Sequence, residues 1–325
     1  MTAKEELRIS FIIPVYNRPQ EIVELLDSLK EQTSKDFEVV IVEDGSTQKC
    51  DKEAKQYQSY FEVNYFYKEN TGPGISRNYG CEKATGNYCI FLDSDCILPP
   101  HYVATVQDAF RKNYLDAFGG PDQAHESFTN LQKAINYSMT SFFTTGGIRG
   151  GGEKVDKFYP RSFNMGISKE VYKATGGFPS ARFADAKAAG EDIELSIKIY
   201  ERGFKVGLIK EAYVYHKRRT SLKQFFKQVY NFGYARITLH KRNKGSLKIV
   251  HALPAVFTIG VFGILILSIF ISGYFAIPIL LLALIFFVDA TLKNKRIVIG
   301  VIAVLTSFIQ LIGYGLGFIS AFLKQ

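Results

Sequence analysis

With 325 residues the chain has room for one large domain or two small ones. Its hydrophobic content of 47% is ordinary for a globular protein, and four cysteines with no CxxC pair and no zinc-like spacing to histidine exclude a cysteine-rich metal module. A net charge of +9 excludes little by itself, since a basic surface suits nucleic acid, anionic lipid and phosphorylated substrates alike.

The placement of charge is more informative. Beyond residue 252 the only charged residues are Asp289, Lys293, Lys295, Arg296 and Lys324, four basic and one acidic, for a net of +3. The remaining +6 belongs to the first part, which mixes charged and apolar residues as soluble domains do. Residues 1–8 are polar and contain no apolar stretch of the signal-peptide kind, so the chemistry is expected to stay in the cytosol. The cysteines (Cys50, Cys81, Cys89, Cys96) then read as ordinary thiols in a reducing compartment.

In chain order, the β-branched run 9–15 predicts a strand, and Ile22, Leu25, Leu26 and Leu29 set helical spacing across 20–30. Residues 37–42 predict a second buried strand, stopped at Glu43-Asp44-Gly45-Ser46, and 62–67 a third. Pro73 suits the first turn of a helix reaching about residue 84. A fourth apolar run, 88–92, closes on Asp93-Ser94-Asp95. Strands alternating with helices predict right-handed βαβ units and an α/β fold with a mostly parallel sheet. Ligands of such sheets bind beyond the carboxyl ends of the strands. The polar groups Tyr16-Asn17-Arg18, Glu43-Asp44 and Asp93-Ser94-Asp95 all fall at those ends and are expected to line one cleft.

The middle of the chain is less regular. Glycines at 146, 147, 150, 151 and 152 mark a stretch, 144–152, that reads as a closing lid or a loop. Helices are predicted at 169–174 and 192–202, with short strands at 205–209 and 213–216. Residues 217–248 carry ten Lys or Arg and no acid, with Leu222, Phe225, Phe226, Val229 and Phe232 at helical spacing. Phenylalanines at that spacing favour an anionic membrane surface over nucleic acid. A helix packed on protein with a solvated basic side is the alternative. The tail divides into apolar runs at 253–271, about 275–288 with its flanks, and 297–323, each close to the roughly 20 residues a span needs. The basic loop 293–296 and the basic segment before residue 253 are expected on the cytosolic side, and three spans would set Lys324 outside.

Two carboxylates one residue apart after a strand, as in Asp93-Ser94-Asp95, suit a hard cation that also holds a diphosphate; a solvated turn is the plainer reading. Taken with Phe11-Ile-Ile-Pro-Val-Tyr-Asn-Arg18, Val42-Glu-Asp-Gly-Ser46, Asn70-Thr-Gly-Pro-Gly74 with Arg77-Asn78, Phe91-Leu-Asp-Ser-Asp95 and Gly190-Glu-Asp-Ile-Glu-Leu195, the chain resembles the family-two glycosyltransferases of GT-A fold over residues 9–216. Glu43 stands where many members have a first aspartate. The QxxRW motif of processive synthases has no counterpart, and the chain contains no tryptophan.

The resemblance implies a nucleotide-diphosphate-sugar donor (UDP favoured), a Mg²⁺ or Mn²⁺ ion, and inversion at the anomeric carbon. By position it implies that Pro14, Tyr16, Asn17 and Arg18 line the nucleotide pocket, with Asp44 on the base and Arg77 near the base or diphosphate. Asp93 with Ser94 would reach ribose or sugar, and Asp95 with Asp93 would hold the metal. His216 is a possible third ligand, and Arg218 and Arg219 could meet the diphosphate. Asp192, beside Glu191, matches the family's base position; the same acids would also suit a helix start. Asn164-Met165-Gly166 resembles the acceptor-side segment, or is simply a strand and turn.

The expected organisation is therefore a GT-A domain over 1–217, a basic amphipathic interfacial segment over 218–250 and a transmembrane region over 251–325. The expected acceptor is a lipid-linked or cell-surface glycan at the inner (plasma) membrane, with membrane lipids as partners and no nucleic acid. A polyprenyl-phosphate acceptor and a non-catalytic nucleotide-sugar-binding scaffold are the alternatives.

Overall fold

The computed structural model describes residues 6–146, 158–179 and 190–324. Most of the glycine-rich stretch 144–152 and the Ala188-Ala189 approach to Gly190 lie outside these residues. The elements in order are β1 (Ile9–Val15), α1 (Pro19–Lys30), β2 (Phe37–Asp44), α2 (Asp51–Gln56), β3 (Glu62–Lys68), α3 (Pro73–Lys83), β4 (Tyr88–Leu92), β5 (Cys96–Ile97), α4 (Tyr102–Lys112), β6 (Ala117–Gly119) and β7 (Asp122–Gln123). There follow α5 (Asn130–Thr140), α6 (Phe142–Thr145), β8 (Asn164–Ser168), α7 (Lys169–Thr175), α8 (Glu191–Glu201), β9 (Val206–Leu208) and β10 (Val214–His216). The chain closes with α9 (Leu222–Arg242), α10 (Leu253–Phe270), α11 (Ile277–Asn294) and α12 (Ile297–Leu323).

These elements form two units. The first is a seven-stranded sheet in the order β3-β2-β1-β4-β8-β6-β9, with β5-β10-β7 as a small second sheet. Strands β1 to β4 are parallel, as the βαβ reading requires, whereas β8 runs antiparallel to both β4 and β6. Successive residues of β1 and β2 supply opposite faces. Phe11, Ile13, Val39 and Ile41 pack with Leu25, Leu26 and Leu29 of α1. Ile12, Val40 and Val42 pack with Cys81, Phe91 and Leu195. Both faces are covered, which is why these strands are continuous apolar runs instead of alternating ones. Each such fully buried Leu or Ile contributes about 1.5–3 kcal/mol. All four cysteines are buried free thiols.

The second unit gathers α5 and α6, from the middle of the chain, with α9 to α12. The apolar side of α9 is largely covered: Phe225 and Val229 pack with Ile135 and Met139 of α5, and Tyr234 and Ile237 with Phe318 and Ala321 of α12. Close approach depends on glycine. A Cβ on Gly317 would fall 2.0 Å from the Tyr230 carbonyl oxygen, and one on Gly233 2.0 Å from that of Tyr314. Arg218 is committed within this unit, its Nη2 donating to Asn136 Oδ1 at 2.9 Å. Among the described residues, three helices, Ile249–Phe270, Gly273–Asn294 and Ile297–Leu323, are long and apolar enough to cross a membrane.

Candidate active site at the carboxyl ends of the strands

Strand β1 ends in Val15, and the chain turns through Asn17, which holds the left-handed conformation (φ 53°) uncommon for a residue with a side chain. Its side chain stabilises the turn: Asn17 Oδ1 accepts from the Thr47 and Gln48 amides at 2.8 and 3.0 Å, and its own N–H donates to Ser46 Oγ at 2.7 Å. The β1 and β2 loops are thereby tied together. Pro14 is half-buried and Tyr16 is exposed.

At the end of β2 both acids are engaged within the chain. Glu43 is fully buried; Oε2 accepts from the Cys50 amide at 2.9 Å and from Tyr65 Oη at 3.2 Å, and Oε1 accepts from Ser46 Oγ. Asp44 pairs with Lys68 and accepts from the Thr71 and Gly72 amides at 2.9 Å each. Gly72, at φ 98°, supplies the backbone conformation that aims its amide there. Burial raises the Asp44 pKa, but the Lys68 bond and the loop amides outweigh it and hold the carboxyl below its usual range.

At the end of β4 the acids face groups that can exchange partners. Asp93 Oδ1 accepts from Arg77 Nη2 at 2.6 Å, and Asp95 Oδ2 from Arg18 Nη1 at 2.6 Å. His216, at the end of β10, places Nε2 3.1 Å from Asp95 Oδ1 and 3.7 Å from Asp93 Oδ2. The Phe163 ring stacks on the imidazole at 4.8 Å. Burial raises the Asp95 pKa, yet His216 and Arg18 together draw it well below the carboxylate range. Ser94 is buried between the two acids.

The donor set fits a hard divalent cation. Asp95 Oδ1 is buried and lies 3.1 Å from His216 Nε2, so that the carboxylate and the imidazole are close enough to serve one ion together. The Cys96 thiol lies in the same cluster, but burial pushes its pKa up, and a protonated thiol is a poor ligand for Mg²⁺ or Mn²⁺. Asp93, Asp95 and His216 are the better set.

The first turn of α8 carries Glu191 and Asp192. Asp192 Oδ1 accepts from the Ile193 amide at 2.8 Å, and Oδ2 lies 3.6 Å from Arg161 Nη1. Glu191 is packed against Gly74, where a Cβ would meet its Oε2 at 2.5 Å. Burial raises the Glu191 pKa; Arg77 opposes this and Asp192 adds to it, leaving the carboxyl above its usual range. The two neighbours differ in what holds them: Asp192 accepts from a helix amide beside an arginine, whereas burial dominates at the half-buried Glu191. Lys68, Phe163 and Arg161 were absent from the sequence reading. Lys68 is set opposite Asp44 by the β2–β3 register, which no local pattern announces.

A family model described as glycosyl transferase family 2 matches residues 10–176, which is more than half the chain. The chain belongs to glycosyl transferase family 2. Within that family's reach, glycosyltransferase GlyA of Streptococcus pneumoniae is 29% identical over 236 residues, covering 67% of this chain and 32% of that protein. The chain spans less than half the length of the curated relatives it matches, from 14% for a Rickettsia bellii glycosyltransferase to 44% for one of Haemophilus influenzae. Among solved structures, the mannosyltransferase PcManGT of Pyrobaculum calidifontis, bound to GDP-Man and Mn²⁺, has a TM-score of 0.64 at 15% identity, over 94% of this chain and 88% of that one. TarS of S. aureus, bound to UDP-GlcNAc, has a TM-score of 0.51 at 20% identity, over 94% and 82%. At these identities the likeness is one of fold, and it bears out the GT-A expectation for this family 2 chain.

Proposed function

We propose that the protein transfers a sugar, with inversion, from a nucleotide-diphosphate sugar to a hydroxyl acceptor at the cytosolic face of the plasma membrane. The observation that carries the reading is the grouping of Asp93, Asp95, His216, Arg18 and Arg77 at strand ends, in the same unit as an acid pair at the start of α8. The donors named for the two structural neighbours, UDP-GlcNAc and GDP-Man, are of this class; the motif resemblance favours UDP.

Asp93, Asp95 and His216 would hold a Mg²⁺ or Mn²⁺ ion, which when bound offsets charge on the diphosphate. Arg77 and Arg18 exchange their carboxylate partners for diphosphate oxygens. Asp192 takes the proton of the acceptor hydroxyl as its oxygen forms the new bond to the anomeric carbon. The bond from that carbon to the diphosphate breaks, and its electron pair leaves on the phosphate oxygen. Pro14, Tyr16 and Asn17 line the nucleotide side, and Asp44 supports the 70–72 loop beneath it. The apolar C-terminal helices support a lipid-linked or surface-glycan acceptor.

The test is nucleoside diphosphate release from a panel of nucleotide sugars with Mn²⁺, with and without a polyprenyl-diphosphate-sugar acceptor. Asp192→Asn is expected to lower acceptor-dependent release by about 10²–10⁴-fold. Activity that survives in this variant would point to a lipid-phosphate acceptor, which hardly needs a base. No release from any donor by folded protein would overturn the enzyme reading.

A further inference from the structure

Three helices qualify as spans by composition, but their packing distinguishes one of them. In an upright bundle α10 and α12 would run in the same direction, with the start of α10 level with the start of α12. The contacts are otherwise. At Gly315 of α12 a Cβ would meet the Pro254 carbonyl of α10 at 2.3 Å, and Ala255 packs with Phe318 and Ala321. The start of α10 therefore sits about 27 Å along α12, at 1.5 Å per residue. The end of α11 meets the other end of α12: a Cβ on Gly300 would contact Thr291 and Phe287. So α10 and α11, each about 27 Å long, stand on α12 with their feet about 22 Å apart, counted from Gly300 to Gly315. Only the short stretch from Ile271 to Ala276 joins their tips. That is a triangle with α12 as its base, and Phe308 fills the angle against Phe257 and Phe286.

The basic helix gives an independent argument. α9 lies beside α12 in the same direction, with Phe226 and Val229 at Gly313, Tyr230 at Gly317, and Ile237 in the cluster with Ala321. If α12 crossed the bilayer, this flank would be drawn into hydrocarbon together with exposed Lys223 and Lys227. It would also carry Lys241, Arg242, Lys244 and Lys248 to the face opposite the basic loop at Lys293, Lys295 and Arg296, against the usual charge asymmetry. The two sides of α12 differ as a surface helix requires. Ile299, Ala303, Thr306, Gln310, Gly313 and Gly317 are buried, with Thr306 bonded to Ser138 of α5 at 2.6 Å. Ile297, Val298, Val301, Leu305 and Leu323 are exposed.

We infer that only α10 and α11 enter the bilayer, as a splayed hairpin, and that α12 lies along the membrane surface with its exposed aliphatic stripe on lipid and α5 and α9 on its other side. Lys324 then lies on the same side of the membrane as Lys244, not across it. The inference is independent of the sugar-transfer reading, because its readouts involve no turnover.

The test uses full-length protein in sealed vesicles. The four native cysteines are buried, so an impermeant maleimide reads introduced thiols at the exposed positions Lys244→Cys and Lys324→Cys. Labelling of both from one side is expected; labelling of Lys324→Cys only from the opposite side would overturn the inference. Spin labels at Val298, Leu305, Ile312 and Leu323 give a second measurement. A uniform shallow depth is expected, and a maximum at Leu305 or Ile312 with shallow ends would overturn it.

Discussion

Two acid pairs stand at the ends of two strands of one sheet, Glu43-Asp44 on β2 and Asp93 with Asp95 just beyond β4, and a sequence motif treats them alike. The structure does not. The oxygens of Glu43 and Asp44 are satisfied by backbone amides, a lysine, a tyrosine and a serine hydroxyl of the same chain. Those of Asp93 and Asp95 face two arginines and a histidine, cations that a diphosphate and a metal can displace. The difference lies in what holds each acid: backbone amides bound into the fold are costly to replace, whereas a side-chain cation can exchange a carboxylate for another anion.

Breaking each pair should give different signatures. The largest effect on turnover is expected for Asp95→Asn, which removes a metal ligand: several kcal/mol of leaving-group stabilisation, or about a thousandfold in rate, beside some loss of stability as Arg18 and His216 lose their carboxylate partner. Turnover and thermal unfolding, measured side by side, check this. Asp44→Asn should act mainly on stability. The half-buried Lys68 loses its carboxylate and keeps only Glu69 O and Thr71 Oγ1, at a cost of about 2 kcal/mol, while the folded fraction keeps most of its activity. The pH dependence has a definite sign. The folded pKa of Asp44 is depressed, so its contribution is complete above the unfolded value of about 4 and is lost as pH falls through the lower folded value. Denaturant titrations of wild type and variant should therefore converge at acid pH; a gap that stayed constant would contradict the assignment.

Smaller effects sharpen the contrast. Glu43→Gln weakens the bonds to Cys50, Ser46 and Tyr65 and should cost about 2 kcal/mol, seen as a lower unfolding midpoint with unchanged metal dependence. Phe163→Ala removes the ring stacked on His216, worth about 1 kcal/mol. Its expected mark is a few-fold weaker activation by Mn²⁺ at little cost in stability. Equal loss at saturating metal would mean that Phe163 serves packing alone.

Much of this was legible in the sequence, for identifiable reasons. The parallel strands are buried on both faces, so β1 and β4 begin and end where their apolar runs do, at Ile9–Val15 and Tyr88–Leu92. β2 extends two residues further than its apolar run because Glu43 and Asp44 are satisfied in place. What could not be read were partners brought in by distant chain. Lys68 meets Asp44 through strand register, and Phe163 and Arg161 arrive from an irregular segment with no local pattern. The covering of α9 was also hidden, since an apolar stripe looks the same whether lipid or α12 covers it. For the same reason hydropathy alone reads α12 as equivalent to α10 and α11.

The most direct test of the central claim, that the Asp93–Asp95 end of the sheet holds a metal-bound nucleotide, is calorimetric titration of UDP onto the purified protein with Mn²⁺ or with excess chelator. The account predicts binding that requires Mn²⁺ in wild type and is lost in Asp95→Asn even when Mn²⁺ is present. Binding that is indifferent both to chelator and to Asp95→Asn would contradict it.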